Sequence, residues 1–260
     1  ARLAATLPLC DFLPCEADSG GHTDNRAALV LLPTVLRLRD RLGVDVPVGL
    51  AGGIGCPAGV RAAFAMGAAY VGIGTIAQPC RESGTCDAVR AMLCQAKATD
   101  VAMAAAADMF TQGVQLQVLK SGTMFAQRAN HLYDLYKTYD DFEAMPTDVR
   151  RTLETKYFQC SIDEVWAATV DFYTHRLQDL TKVRKAETDR KLHMDLCMRW
   201  YLGNSSRWAN TGTKGRKLDY QVWCGPAIGS FNDWIAGTDL DPKVAGAYPS
   251  IVDVCERLMT

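Results

Sequence analysis

Two glycine-rich stretches and one histidine are the residues of this chain best suited to chemistry. Ala51-Gly52-Gly53-Ile54-Gly55 and Gly72-Ile73-Gly74-Thr75 each follow a short apolar run and stand about 20 residues apart. Glycine at such a turn lets backbone N–H groups close on phosphate oxygens that a Cβ would hold away, and a following helix N-terminus adds favourable charge. Ala51, Gly52, Gly53, Gly74 and Thr75 are therefore read as the cradle of a phosphorylated ligand. Upstream, EADSGGHTDNR (Glu16–Arg26) closes another apolar run with Ser19, Gly20, Gly21 and His22. A lone histidine is often only a structural hydrogen-bonder, but this one follows two glycines at a strand end. Imidazole as a side-chain type can give or take a proton near neutrality, so His22 is the candidate catalytic group.

The elements that must position these residues alternate strand and helix. CDFLPCEAD reads as a buried strand ending in polar residues, followed by a helix from about Asp24 to Leu42 with Asp24 as its N-cap. VPVGLAGGIG supplies a second strand and loop. A helix from about Pro57 to Met66 leads to AAYVGIGT, the third strand and loop, and a further helix starts near Gly84. Apolar strands separated by helices imply a parallel sheet with right-handed crossovers, an α/β architecture. Gly53-x-Gly55-x-x-Ala58 formally meets the dinucleotide fingerprint, which asks for an acidic residue about 20 positions on, to hold a ribose hydroxyl. The next strand instead ends in glycine, and the first acid after it, Glu82, comes too late. Two successive glycine loops suit a (β/α)8 barrel, whose last two strands carry phosphate-binding loops. Ser19, Gly20, Gly21 and His22 then lie at the C-terminal mouth of that barrel, facing a phosphorylated, flat-headed ligand.

Beyond residue 100 the pattern changes. RANHLYDLYKTYDDF, TDVRRTLETKYF, SIDEVWAATVDFYTHRL and RKLHMDLCMRWYLGNSSRW repeat apolar residues every three or four positions, as amphipathic helices do. Ser161 and Glu164 form a capping box ahead of one of them. The division expected is residues 1–100, the α/β part, and 101–260, a helical appendage. In DYQVWCGPAIGSFNDW, Tyr220, Trp223, Phe231 and Trp234 suit a core, and the Gly-Pro and Gly-Ser pairs argue against one regular helix.

Composition bounds the partners. The chain has 260 residues, 48% of them hydrophobic, with 28 Lys+Arg against 29 Asp+Glu, so its net charge of −1 offers no field for nucleic acid or an anionic membrane. No apolar run approaches the roughly 20 residues of a membrane span. The 10 cysteines show no C-x-x-C pair, and Cys10, Cys15, Cys56 and Cys94 sit in apolar contexts, so reduced, buried thiols in a cytoplasmic protein are expected. His131, His175 and His193 lie in helical stretches and read as surface or packing groups. No metal is expected, because no pair of histidines has ligand spacing with an acid on the same face.

The GGH loop, AGGIG and GT resemble the flavin-binding half of nitronate monooxygenase-like and FMN-dependent enoyl reductase barrels. Together with DMFTQGVQLQVLKSGTMFAQRANHLYDLY, RWYLGNSSRW and DYQVWCGPAIGSFNDWI, they resemble the PfaD-type trans-acting enoyl reductases of polyunsaturated fatty acid and polyketide synthases, over essentially the whole chain. The resemblance implies a TIM (β/α)8 barrel of eight strands. Three are legible here, so the chain is expected to hold the C-terminal part, the rest lying upstream or on a separate chain. It implies FMN as cofactor, held by Ser19, Gly20, Gly21 and the two glycine loops, and NADPH as hydride source. It implies a 2-enoyl thioester on acyl carrier protein as substrate, with His22 as proton donor or carbonyl hydrogen-bond donor. Other synthase subunits and a second copy, giving a homodimer, are the further partners. By the same analogy DYQVWCGPAIGSFNDW covers the mouth, with Ser230 and Asn232 toward the acyl chain. Lys182–Lys191, basic on balance, is a solvated helix face or a docking site for the acidic carrier. A nitronate-consuming flavin oxidase and a non-catalytic scaffolding subunit are the rival functions.

Overall fold

A computed structural model describes residues 10–260. In chain order the elements are β1 (Leu13–Glu16), β2 (Gly21–His22), α1 (Ala28–Leu42), β3 (Val48–Ala51), α2 (Pro57–Ala65), β4 (Val71–Gly72), α3 (Asp87–Leu93), β5 (Val101–Ala105) and β6 (Gln115–Leu119). Helices α4 (Phe125–Thr138), α5 (Thr147–Thr152), α6 (Ile162–Phe172), α7 (Thr181–Ala186), α8 (Arg190–Thr211), α9 (Ala227–Ile235), α10 (Pro242–Ala245) and α11 (Ile251–Leu258) follow. The chain forms two compact units. One holds the residues up to Ala102, Leu116–Ser121 and Val222–Thr260; the other holds Met103–Gln115 and Gly122–Gln221. The opening stretch of the first unit ends within β5, and Val222–Thr260 belongs to that unit as well.

In the first unit β1, β3 and β4 form a parallel sheet in the order β1-β3-β4, with Glu16 opposite Ala51 and Ala51 opposite Gly72. This register ends all three strands at one level, so the loops after them converge. Val48 and Leu50 are fully buried, whereas β1 leaves Pro14 and Glu16 exposed, so it is not the buried strand expected. Among the described residues β1 and β4 pair within this sheet only with β3, and three strands in a row do not close.

Two helix starts move from their expected places. Asp24 does not cap α1, which begins at Ala28 behind Ala27 with no side-chain cap. The Asp18 amide instead donates to the Arg26 carbonyl (2.9 Å), and Asn25 takes a left-handed φ of 53°, so this stretch is a loop. Helix α3 starts at Asp87 rather than near Gly84, because the strand end runs first into a 3-10 turn, Thr75–Ala77.

The C-terminal segment joins the first unit along β6. The Leu119 amide donates to Val222 (2.9 Å) and the Cys224 amide to Gln117 (3.3 Å). Helix α9 then runs through Gly229-Ser230, the pair expected to break it. Glycine is there for packing, since a Cβ would lie 2.8 Å from the Cα of Ala98. Glu82 caps α11, accepting from the Ile251 amide (2.9 Å) and the Ser250 hydroxyl (2.8 Å), and these bonds, the backbone one foremost, pull its pKa down to about 2.

The second unit is mainly helical, with α8 as its long central helix, burying Met194, Leu196, Met198, Tyr201 and Leu202. The expectation of helix throughout overlooked the strand residues it contains, and here the Ala106 amide donates to Val114 (2.9 Å). Ser161 and Glu164 form the expected capping box. Helices α5 and α6 each widen into a π-helical turn, Leu153–Phe158 and Tyr173–Leu177, and end at Gln159 and Gln178 with left-handed φ. Buried Asp219 accepts from the Tyr201 hydroxyl (2.7 Å), from Arg216 (3.2 Å) and from Arg128. Among the described residues no helix is long and apolar enough to cross a membrane.

Candidate functional site

A cavity of about 390 Å³ in the first unit opens where the parallel strands end. Of the residues expected to hold a cofactor, Ser19, Gly20, Ala51, Gly52, Gly53, Gly74 and Thr75 all line it. Gly21, His22, Ser230 and Asn232 do not.

The glycines serve different ends. Gly52 has φ +82°, and a Cβ there would lie 2.8 Å from the carbonyl oxygen of Ala17, so the fold itself requires glycine. At Gly74 φ is −128° and a Cβ would meet no protein atom within 4 Å. Nothing in the chain calls for glycine at Gly74, and the space it leaves belongs to the cavity. Gly53, with φ +74°, likewise has only one protein atom, 3.9 Å away, near its Cβ position.

A polar network fixes the loop after β1. The Gln117 side-chain amide donates to the Asp18 carboxylate and to the Ser19 carbonyl, both at 2.7 Å. Asn25 donates to Asp18 (3.0 Å) and Gln117 (3.1 Å). Ser19 donates to Glu16 (2.7 Å), the carboxylate at the cavity rim. Gly20 packs so closely on the segment after Val222 that a Cβ would lie 2.6 Å from the Cys224 nitrogen. Thr75 accepts the Gly225 amide (3.0 Å), and burial pushes the Cys224 thiol up to about 12, which keeps it protonated near neutrality.

His22 pairs with Leu116 in β2 and lies edge-on to Trp223, ring centres 5.7 Å apart. Trp223, 45% exposed, lines the cavity, and its backbone carbonyl accepts from the Gln78 side chain. The histidine thus touches a lining residue without itself lining the cavity. Gln78 and Glu16 are lining residues that sequence reasoning missed, and Trp223, read among residues suited to a core, is half exposed in the lining. Glu16 had a signal, as the last residue of the first strand, but Trp223 arrives only through pairing with β6.

Ser230 and Asn232 have packing roles. Ser230 donates to the Ala227 carbonyl (3.1 Å) and packs against Gly55. Asn232 donates to the carbonyls of Leu93 and Ala96, both at 2.8 Å, capping the end of α3. The other histidines pack as expected: His131 on the Tyr157 hydroxyl (2.7 Å), His175 exposed near Asp171, and His193 against Trp166. No cluster of three or more His, Cys, Asp or Glu able to hold a metal occurs among the described residues. All ten cysteines are free, and Cys10, expected to be buried, is exposed.

The cavity suits a phosphorylated cofactor on this geometry. Its volume falls in the range of small-ligand sites, and its glycines leave room for a ligand against the loop backbone. No lysine or arginine lines it, so an anion would rely on backbone N–H groups.

This chain is similar to segments of polyunsaturated fatty acid synthases. It is 53% identical to one of the subunits of the Thraustochytrium sp. polyunsaturated fatty acid synthase, over 98% of this chain and 18% of that protein. Polyketide biosynthesis protein ThaF of Burkholderia thailandensis is 43% identical over 93% of this chain and 21% of its own length. The chain spans between 13% and 32% of the curated relatives it matches. The enoyl reductase domain of MlnA, from the macrolactin biosynthesis cluster of Bacillus amyloliquefaciens, superposes with a TM-score of 0.87 at 32% identity, covering 97% of this chain and 56% of that one. The M276A mutant of FabK from Thermotoga maritima shares the fold, with a TM-score of 0.52 at 17% identity over 96% of this chain and 52% of that one. Residues 139–220 match the inserted helical domain of acyl-carrier-protein S-malonyltransferase.

Proposed function

We propose that this chain is the C-terminal part of an FMN-binding TIM barrel with its helical appendage, in an enoyl reductase of polyunsaturated fatty acid or polyketide synthesis. The substrate is a 2-enoyl thioester on acyl carrier protein, and NADPH is the hydride donor. The observation that carries this reading is the cavity at the ends of β3 and β4, where seven expected cofactor residues meet. The likeness to the MlnA enoyl reductase domain supports the reaction class.

Gly52, Gly53, Gly74 and Thr75 would hold the phosphate through backbone N–H groups, which carry no charge to desolvate. Bound there, FMN would supply a relay for hydride between NADPH and the β-carbon of the enoyl group. Trp223 lines one side of the cavity. His22, held by β2 and its contact with Trp223, would hold the proton that goes to the α-carbon, or polarise the thioester carbonyl. Glu16 is kept in place by Ser19, which fixes the loop on the other side. The remaining barrel strands, carrier protein, other synthase subunits and a second copy complete the working assembly.

The test uses the full-length synthase protein that carries this segment. Its flavin is reduced anaerobically with NADPH, crotonyl pantetheine is added, and flavin absorbance is followed. Bleaching by NADPH and recovery on adding the thioester is the expected result. Recovery only with oxygen or a nitronate would replace the reductase by an oxidase, and a flavin-free protein would favour the scaffold.

A further inference from the structure

The second unit holds a cleft of about 800 Å³ that the proposed reduction does not use. Helix α6, its π-helical extension Tyr173–Leu177 and α8 contribute its walls. Phe172 and Leu177 stand 47% and 51% exposed there, beside half-buried Trp200.

Three arginines and two aspartates line the same cleft. Arg199 is committed, lying 3.6 Å from buried Asp195 and donating to the Asp108 carbonyl (3.3 Å). Arg176 and Arg207 are exposed and form no ion pair among the described residues. Of the aspartates, exposed Asp171 faces exposed His175 at 3.5 Å, and exposed Asp108 accepts from Arg199 at its backbone carbonyl, not its carboxylate. Apolar side chains flanked by uncommitted guanidiniums suit a helix that carries carboxylates around apolar residues, because guanidinium pairs with carboxylate in fixed, bidentate geometry.

The alternatives in this unit fit an acidic partner less well. The other cleft, about 740 Å³, is lined by five acids (Asp141, Glu143, Glu154, Asp163, Glu187) against Arg150, Arg151, Arg190 and His193. In the basic stretch Lys182–Lys191, Lys191 donates to the carbonyls of Tyr136 and Tyr139, Arg190 pairs with Glu143 (2.9 Å), and Lys185 lies 3.9 Å from Asp189. Lys185, Arg190 and Lys191 of that run are thus engaged within their own unit, which leaves exposed Lys182 and Arg184.

We propose that the cleft bounded by Phe172, Leu177, Arg176 and Arg207 docks an acidic helix of the carrier protein that brings the thioester. This deepens the reductase reading and rests on it for the partner's identity. Charge at the rim steers the encounter, so the effect is largest at low salt.

The test compares the full-length synthase protein with Arg176→Glu/Arg207→Glu and the milder Arg176→Gln/Arg207→Gln. Crotonyl carrier binding is read by fluorescence anisotropy at low and physiological salt, alongside reduction of crotonyl pantetheine. Carrier affinity falls about tenfold in the Glu variant at low salt, less in the Gln variant, with pantetheine turnover unchanged. A carrier with reversed acidic residues regains affinity for the Glu variant. Unchanged carrier binding in variants with native melting curves overturns the docking site, whatever happens to pantetheine. If the wild type binds carrier through these arginines yet reduces no thioester, the docking stands and the reductase reading falls.

Discussion

The two units make their cavities from different material. In the first, the lining is largely backbone: Gly52, Gly53 and Gly74 open the space and a side-chain network behind Ser19 holds the loop. In the second, clefts lie between helices and are lined by charged and aromatic side chains, and the unit is pinned by buried Asp219. A backbone site requires one residue type, glycine, and shows itself as a pattern. A side-chain site on amphipathic helices uses the same alphabet as any helical core. The comparison also separates consequences: substitution in the ionic cluster should strike folding, while substitution of an exposed cavity glycine should strike only binding.

The largest effect is expected at Asp219. It faces two guanidiniums, Arg128 and Arg216, each 11% exposed, and a fully buried tyrosine. Asp219→Ala leaves those cations without their counter-charge, a loss of about 3–5 kcal/mol. Chemical denaturation should show the midpoint collapse, and an Asp219→Ala protein as stable as the parent would mean the cluster contributes no net stability. Next comes Gly20→Ala. Its Cβ would lie 2.6–2.9 Å from backbone atoms of Cys224, which no rotamer change can relieve. Overpacking of this kind costs about 1–3 kcal/mol and should loosen the segment carrying Trp223.

Gly74→Ala sharpens the contrast. It lines the same cavity as Gly20, but its new methyl group would meet no protein atom. Melting temperature should barely move, while retention of the proposed flavin falls about tenfold, or roughly 1.4 kcal/mol. If flavin content is unaltered, the loop after β4 does not contact the phosphate.

How much of this was legible follows from range in sequence. The glycine loops, the β3-α2-β4 succession and the Ser161 capping box are local patterns and appear where expected. Strand β2 has two residues and exists because Gly21 and His22 meet Gln117 and Leu116, nearly a hundred positions away. No window around His22 shows that pairing, and none shows that Trp223 comes to stand beside it. Ser230 and Asn232 are site residues only by the family resemblance, and in the fold each meets a local demand, one at Gly55 and one at the end of α3. Asp24 has the right type for an N-cap, but the Asp18–Arg26 bond competes and delays the helix.

Acid titration offers the finest comparison of the units. In the first, Glu82 has a folded pKa of about 2 against an ordinary 4.5, through its bonds to Ile251 and Ser250. A depressed carboxylate contributes stability that is complete above pH 4.5 and is lost as pH falls through about 2. In the second unit, burial against Trp166 and Phe142 lowers the His193 pKa from 6.5. The unfolded chain then takes up this proton first, so the contribution is complete above pH 6.5 and fades as pH falls through the lowered value. Asp195, raised by burial, works oppositely, since acidification neutralises a carboxylate that burial disfavours. Differences between variants are therefore the readout. Calorimetric melts of His193→Phe should lose part of the pH dependence just below neutrality, and those of Glu82→Gln part of it only in strong acid. If both variants shift one and the same calorimetric transition, each in its own pH range, the two units unfold as one cooperative body and their chemical contrast does not extend to stability.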